Sequence, residues 1–372
     1  MVNCHICGGD LKEISSFSTL HQVTSDCRPW KLGGKLAVCE SCFTVQKPAS
    51  KDWNNDADEI YSGYEIYLQG GGLEQSTFDS TSGASLARSQ KILSWLKEAS
   101  LPRKGNLLDV GCGNGSFLKA FGASYPDWGM VGLELDDKNK KIIESIKGVK
   151  RLHIGNIETL EEKFDLIVLI HALEHITDPI KLLKSIISKL NPNGQLFIEV
   201  PDLASSPFDL LIADHCSHFT LSTLENVILN SGYKIQKLVA DFVPKELSLL
   251  AFSANGDLQK AICIDISGEI IAKSNIDWMN SLLLKGKSCD GNIGIFGTSI
   301  SATWLASSLG NKVDFFVDED PNRIGRKHMG KNIFSIESAP EYSNILMPLR
   351  SDIANLVAKR LSENGCRFNF IF

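Results

Sequence analysis

The stretch NLLDVGCGNGSFLKAFGASYPDWGMVGLEL, residues 106–135, decides the fold. Its first five residues, NLLDV, are a short apolar run of the kind that forms a buried strand. The glycines at 111, 113 and 115 permit a tight turn that residues carrying a Cβ would resist. SFLKAF opens a helix, and GMVGLEL reads as a second buried strand with Glu134 near its C-terminal end. Strand, glycine turn, helix, strand and acid make a β-α-β unit, which implies an α/β domain built on a parallel sheet.

The spacing of the turn narrows the ligand. A dinucleotide fingerprint, G-x-G-x-x-G, would place its third glycine at position 116, where the chain has Ser116. The pattern D-x-G-x-G-x-G suits a nucleoside ligand without a pyrophosphate, and S-adenosylmethionine is one. Gly111 and Gly113 would let the backbone approach its methionyl part. Glu134 would accept both ribose hydroxyls, and Asp109 would organise the loop and face the methionyl amine, directly or through water.

Two cysteine pairs precede this unit: CHIC at 4–7 and CESC at 39–42. A two-residue spacer lets both sulfurs of a pair reach one ion, and four thiolates close the tetrahedral shell of zinc. Cys4, Cys7, Cys39 and Cys42 are therefore expected to hold one structural Zn2+. The stretch between the pairs looks poor in apolar residues, so the metal would supply much of its folding energy, on the order of 10–16 kcal/mol. Cys27 and the five later cysteines show no pairing logic.

Length and composition set the frame. A chain of 372 residues is expected to form two or three domains. A net charge of −6 argues against a nucleic-acid partner, which favours a basic face. No apolar run approaches the roughly 18 residues of a membrane span. MVNCHICGGDLKE lacks the basic and apolar regions of a secretion signal, so a cytoplasmic location with reduced thiols is expected.

LLDVGCGNG followed by GLEL resembles the class I S-adenosylmethionine-dependent methyltransferases. GNIETLEEKFDLIVLIHALEHITDP (155–179) resembles that family's third and fourth strands, and LNPNGQLFIEVPD (190–202) its fifth. The resemblance covers about residues 85–240 and implies that Asn156 and Ile157 sit at the adenine ring. His171 and His175 read as packing residues near the cofactor, without assigned chemistry.

The remainder adds a third unit. Residues 264–287 carry apolar residues near helical spacing and read as a linking helix. GNIGIFGTSISATWLASSL (291–309) and VDFFVDED (313–320) repeat the strand, glycine turn, helix and strand pattern, with Asp318 where a ribose-binding acid would stand. The loop is poor for a pyrophosphate, so this second Rossmann-like domain is expected to dock something else or only to pack. The whole order resembles the three-domain sugar C-methyltransferases: an N-terminal zinc-binding domain (1–57), a methyltransferase domain with an N-terminal lid (58–255) and a C-terminal Rossmann-like domain with its linking helix (256–372). FFVDEDPNRIGRKHMGKNI resembles that subfamily's C-terminal signature. The resemblance implies a nucleotide-linked deoxyketosugar held between the central and C-terminal domains.

ADHCSHFTLSTLENVILNSGY (213–233) resembles the subfamily segment that carries the proposed base. Asp214 replaces the usual glutamate, His215 keeps the histidine, and His218 and Ile212 stand where tyrosines are common. His215, oriented by Asp214, is the expected base, with His218 beside the sugar. Tyr64, Tyr67, Glu74 and Gln75 are of the residue types that line a sugar site. The expectation is methyl transfer to carbon, oxygen or nitrogen of a sugar. An RNA methyltransferase and a non-catalytic scaffold are the alternatives, and the intact Asp109, Gly111, Gly113 and Glu134 count against the scaffold.

Overall fold

The computed structural model describes residues 2–64, 76–78, 85–98, 101–240, 242–254, 267–363, 365 and 367–372. Seven strands build the central sheet: β1 (Asn106–Val110), β2 (Gly129–Glu134), β3 (Val149–Ile154), β4 (Phe164–Ile170), β5 (Leu190–Pro201), β6 (Tyr233–Ala240) and β7 (Glu246–Ser253). Their order is β3-β2-β1-β4-β5-β7-β6. The first five run parallel, and β7 is antiparallel to both its neighbours. The order reverses between β1 and β4, and a crevice outside the carboxyl ends of the strands is where such sheets bind ligands.

The residues of β1 explain why helices cover both faces. Leu107 packs with Phe117, Leu118 and Phe121 of helix α3 (Ser116–Ser124) and with Trp95 of helix α2 (Arg88–Lys97). Leu108 packs on the other face with Leu183 and Ile186 of helix α4 (Pro179–Lys189) and with Leu224 and Ile228 of helix α5 (Leu221–Asn230). Successive side chains point to opposite faces, so a strand with apolar residues on both faces must be covered twice. Asp178 caps α4 by accepting from the Lys181 amide at 3.0 Å, with Pro179 in the first turn. Thr220 and Thr223 close a reciprocal cap on α5.

The C-terminal unit is a second parallel sheet. Strands β8 (Ile293–Phe296) and β9 (Phe315–Val317) flank helix α7 (Ile300–Leu309), as the repeated pattern predicts. Helix α6 (Ser267–Ser288) precedes it, matching the linking helix. Asp318 is engaged internally, accepting from Thr298 Oγ1 at 2.8 Å with the Arg323 guanidinium 3.5 Å away. Among the described residues no helix is long and apolar enough to cross a membrane.

The N-terminal residues differ from expectation in one physical respect. The segment between the cysteine pairs is not poor in buried apolar groups: Ile14, Phe17, Leu20, Val23, Leu36 and Val38 are each at most 3% exposed. They share one hydrophobic cluster with Ala272, Ile276 and Met279 of α6 and with Trp304 of α7. Hydrophobic burial against the C-terminal unit therefore holds this module in place, and metal ligation is not its sole support. Trp304→Ala should cost about 3–5 kcal/mol of stability. It should also hasten proteolysis within residues 10–40. Unchanged cleavage there in a destabilised variant would refute the shared core.

Candidate active site and metal centre

The glycine turn joins β1 to α3. Gly111, Gly113 and Gly115 all have positive φ (74°, 58° and 80°), backbone that side-chain-bearing residues rarely adopt. A Cβ on Gly111 would meet the Ala172 methyl at 3.1 Å, and one on Gly115 would strike Ile146 at 2.6 Å. Glu134, at the end of β2, accepts from the Gly113 amide at 2.6 Å and from the Leu135 amide at 3.3 Å. Its carboxylate is thus fixed at the mouth of the turn. Asp109 is 2% exposed, and its Oδ2 has no hydrogen-bond partner. Burial, with the charge of Glu134 adding to it, pushes its pKa up to about 8. A buried carboxylate oxygen without a donor is costly unless a ligand supplies one, and an ammonium group would. Asn156 is exposed at the end of β3, and Ile157 is buried beside it. The residues present fit S-adenosylmethionine: a backbone cradle, an unsatisfied acid and a carboxylate at the second strand.

Beyond the end of β4 the chain turns through His171, whose φ of 51° is unusual for a non-glycine residue. A single turn, Leu173–His175, then brings His175 to the segment 209–218 that follows β5. There lies His215, the residue expected to act as base, with a partner other than the expected one. His215 Nδ1 lies 2.6 Å from Asp209 Oδ1, and His218 Nδ1 lies on the other oxygen of the same carboxylate at 2.5 Å. Asp209, not Asp214, orients His215; the sequence reading chose the adjacent acid, whereas the turn Pro207–Leu211 brings back the one six residues earlier. Asp214 instead accepts from the Ser25 amide and hydroxyl at 2.9 and 2.5 Å, with His175 Nδ1 3.4 Å away. Burial lowers the basicity of His215, but the Asp209 carboxylate outweighs it and raises its pKa. Burial and the charge of His215 hold His175 below the ordinary value.

His175 was read as a packing residue. It stands in the polar centre, its ring centroid 4.5 Å from that of His215. Its Nδ1 is 3.0 Å from the Asp214 carbonyl and 2.9 Å from the Tyr61 hydroxyl. A carbonyl only accepts, so the Nδ1 carries the proton, the Tyr61 oxygen accepts from it, and the Tyr61 O–H remains to donate elsewhere. Tyr64 meets Tyr61 edge-on at 6.3 Å. Tyr67, Glu74 and Gln75 lie outside the described residues. Sequence reasoning noticed the tyrosine-rich window but not that Tyr61 is the member that reaches His175.

A charged layer lies behind His171. Its Nδ1 is 3.1 Å from Glu174 Oε1, and its Nε2 is 3.3 Å from Glu246 and 3.8 Å from Glu199. Arg88 meets Glu199 at 3.5 Å and Glu246 at 3.2 Å. Burial raises Glu199 to about 8 against the opposing charge of Arg88, and Glu174 and Glu246 face His171 and Arg88 in the same layer. For His171, burial opposes protonation, but the charge of Glu246 and the hydrogen bonds to Glu174 and Glu246 together outweigh it, and the pKa rises to about 10.

The four cysteines converge as their spacing requires. Cys4 Sγ is 3.6 Å from Cys42 Sγ, and Cys7 Sγ is 3.4 Å from Cys39 Sγ; all four sulfurs lie within 4.8 Å of one another. Tetrahedral zinc with ~2.3 Å bonds needs sulfurs about 3.8 Å apart. Amides of Ile6, Ser41 and Cys42 point at these sulfurs at 3.4 Å, and Gln46 Nε2 donates to Cys4 Sγ at 3.0 Å. A Cβ on Gly9 would fall 2.6 Å from Ser41 Oγ and 3.2 Å from Cys39 Sγ. This donor set fits a closed, structural zinc site.

Residues 86–238 match the family model described as a methyltransferase domain. A tRNA U34 carboxymethyltransferase of Campylobacter concisus is 30% identical over 141 residues, 34% of this chain and 48% of its own length. A ubiquinone biosynthesis O-methyltransferase of Haemophilus ducreyi is 28% identical over 116 residues, 28% of this chain and 49% of its own. The chain spans about half the length of these curated relatives. A solved S-adenosylmethionine-dependent methyltransferase from Clostridium acetobutylicum aligns over 54% of this chain and 98% of its own, at 14% identity and a TM-score of 0.38.

Two outcomes are expected of these sites. Since the folded pKa of Asp109, about 8, lies above its ordinary 3.8, ionising it costs stability as pH rises from 4 through 8. Asp109→Asn should therefore melt higher than the parent at pH 8.5, with a smaller gain at pH 5, while binding S-adenosylmethionine more weakly. Equal melting differences at both pH values would place the carboxyl in water. A thiol-specific organomercurial should release one zinc per chain from the cysteine set. It should also expose residues 209–218 to protease while cofactor affinity persists, and release of no zinc would remove the metal from this site.

Proposed function

We propose that residues 86–238, which match a methyltransferase-domain family, act as a class I S-adenosylmethionine-dependent methyltransferase, and that the protein methylates a sugar, nucleotide-linked, with His215 as the group that takes the acceptor's proton. The observation that carries the reading is the convergence of His175, His215 and Tyr61 where β4 and β5 end, beside the turn that suits the cofactor. The domain order read from the sequence supports the sugar.

S-adenosylmethionine supplies an electrophilic methyl group on a sulfonium sulfur. The rest falls to this chain. Asp209 accepts the Nδ1 proton of His215 and so fixes the tautomer whose Nε2 can receive a proton. The Tyr61 O–H can donate to an acceptor oxygen, and burial keeps that phenol protonated. It thereby supplies the hydroxyl that the tyrosine-poor segment 212–218 lacks. His215 would take the proton of the acceptor atom, leaving that atom's electron pair free to receive the methyl group, which the sulfonium would give up as a neutral thioether. Positioning supplies much of the rate and a general base typically adds 10²–10⁴-fold.

A second reading is an RNA or phenolic acceptor, favoured by the names of the two curated relatives. The net charge of −6 opposes the RNA. Labelled cofactor offered with nucleotide-linked ketosugars, tRNA and a catechol should label the sugar. Label in either other acceptor alone would overturn the sugar assignment.

Within the sugar reaction, His215→Ala should lower turnover about 10²–10⁴-fold with cofactor affinity nearly unchanged. Tyr61→Phe should lower it on the order of 10²-fold, and His218→Ala should do less. Small, equal losses in all three would leave the base unassigned.

A further inference from the structure

The polar centre has a property that a proton acceptor alone does not require. Glu174, His175 and His215 each offer a ligand atom, and these atoms lie within 4.8 Å of one another. Glu174 is 0% exposed, and its Oε2 has no hydrogen-bond partner. The other donor atoms of all three residues are already committed. His215 Nδ1 is held by Asp209 at 2.6 Å, His175 Nδ1 by the Asp214 carbonyl at 3.0 Å, and Glu174 Oε1 by His171 at 3.1 Å. Ligating histidines ordinarily give their second ring N–H to a carboxylate or carbonyl, which fixes the tautomer and aims the remaining nitrogen. Here both histidines are arranged in that way, and Glu174 keeps one carboxylate oxygen without a donor among the described residues.

We propose that Glu174, His175 and His215 form a second metal site, for a divalent first-row transition cation, at the centre where the methyl acceptor binds. Two imidazole nitrogens and one carboxylate oxygen suit such a cation better than calcium or magnesium, and three protein ligands leave open positions. It differs in kind from the cysteine set, whose four thiolates close their shell. His175 keeps 18% of its side chain exposed, so the site opens outward and an acceptor oxygen can enter a free position. A cation there would polarise that oxygen. The inference rests on the acceptor lying at this centre. With the cation bound, the His215 nitrogen is a ligand and the cation's charge acidifies the acceptor; with the site empty, the same nitrogen takes the proton.

The test is a Co2+ titration of the full-length, zinc-loaded protein, followed by visible absorption. One Co2+ per chain should bind with weak ligand-field bands and without thiolate charge transfer, since the cysteine set already holds its zinc. Glu174→Gln and His215→Ala should each weaken it about tenfold or more, with cysteine-bound zinc and S-adenosylmethionine affinity unchanged as the check on folding. No Co2+ beyond the zinc, or binding indifferent to both substitutions, overturns the site. The two readings fail separately. If no Co2+ binds but sugar is still methylated in chelator and His215→Ala is slow, His215 is a base and no second metal site exists. If Co2+ binds as described but no sugar is methylated, the site stands and the acceptor assignment falls.

Discussion

Everything near the chemistry depends on one seam: the edge strand of the cysteine module, Val45–Gln46, pairs antiparallel with Ser217–His218. The segment 209–218 carries Asp209, Asp214, His215 and His218 at 3% exposure or less. Such groups can leave water only if every charge and backbone polar atom finds a partner. The N-terminal residues provide them. Ser25 satisfies Asp214 twice, Val23 accepts from the Ala213 amide, Trp53 donates to the Ala213 carbonyl at 2.9 Å, and Lys47 donates to the Ile212 carbonyl. Lys47 is itself 1% exposed, and burial lowers its pKa to about 8.

That seam explains what a cysteine knuckle does for a methyltransferase domain. Gln46 donates to Cys4 Sγ through its side chain and pairs with Ser217 through its backbone, while His5 reaches the Ser217 hydroxyl at 2.8 Å. Ser217 is next to His218, and His218 shares Asp209 with His215. The cysteine centre therefore lies a few contacts from the histidine it helps to place. The N-terminal end of α6 also packs against the module, where a Cβ on Gly268 would meet the Phe43 carbonyl at 3.2 Å and Val45 at 3.5 Å. A loop that could otherwise sample many conformations is held between the cysteine knuckle and a hydrophobic cluster.

The cofactor turn and the polar centre bring together two kinds of buried charge. Asp109 has no partner for one oxygen, which fits a cationic ligand. Asp209 has two imidazoles, whose charges outweigh the burial that would raise its pKa and hold it well below the usual carboxylate range. The first is an acid that a cationic ligand would satisfy; the second is a fixed anchor. Burial also raises Glu199, which shares one layer with Glu174, Glu246, Arg88 and His171.

The sequence alone determined whatever is local. Glycine's backbone freedom, the two-residue cysteine spacer and apolar runs of strand length act within a few residues, so the β-α-β unit, the cofactor turn, the repeated C-terminal pattern and the convergence of Cys4, Cys7, Cys39 and Cys42 were all legible. What the sequence could not show is which distant groups meet. Tyr61 reaches His175 across 114 residues, and Ser25 reaches Asp214 across 189. No periodicity encodes such pairings. The choice of Asp209 over its nearer neighbour as the partner of His215 likewise depends on a turn whose direction is set by Leu210 and Leu211 packing into the cluster with Phe17 and Trp304. Only the tertiary structure decides this, because burial assigns each charged group its partner after the chain has closed on itself.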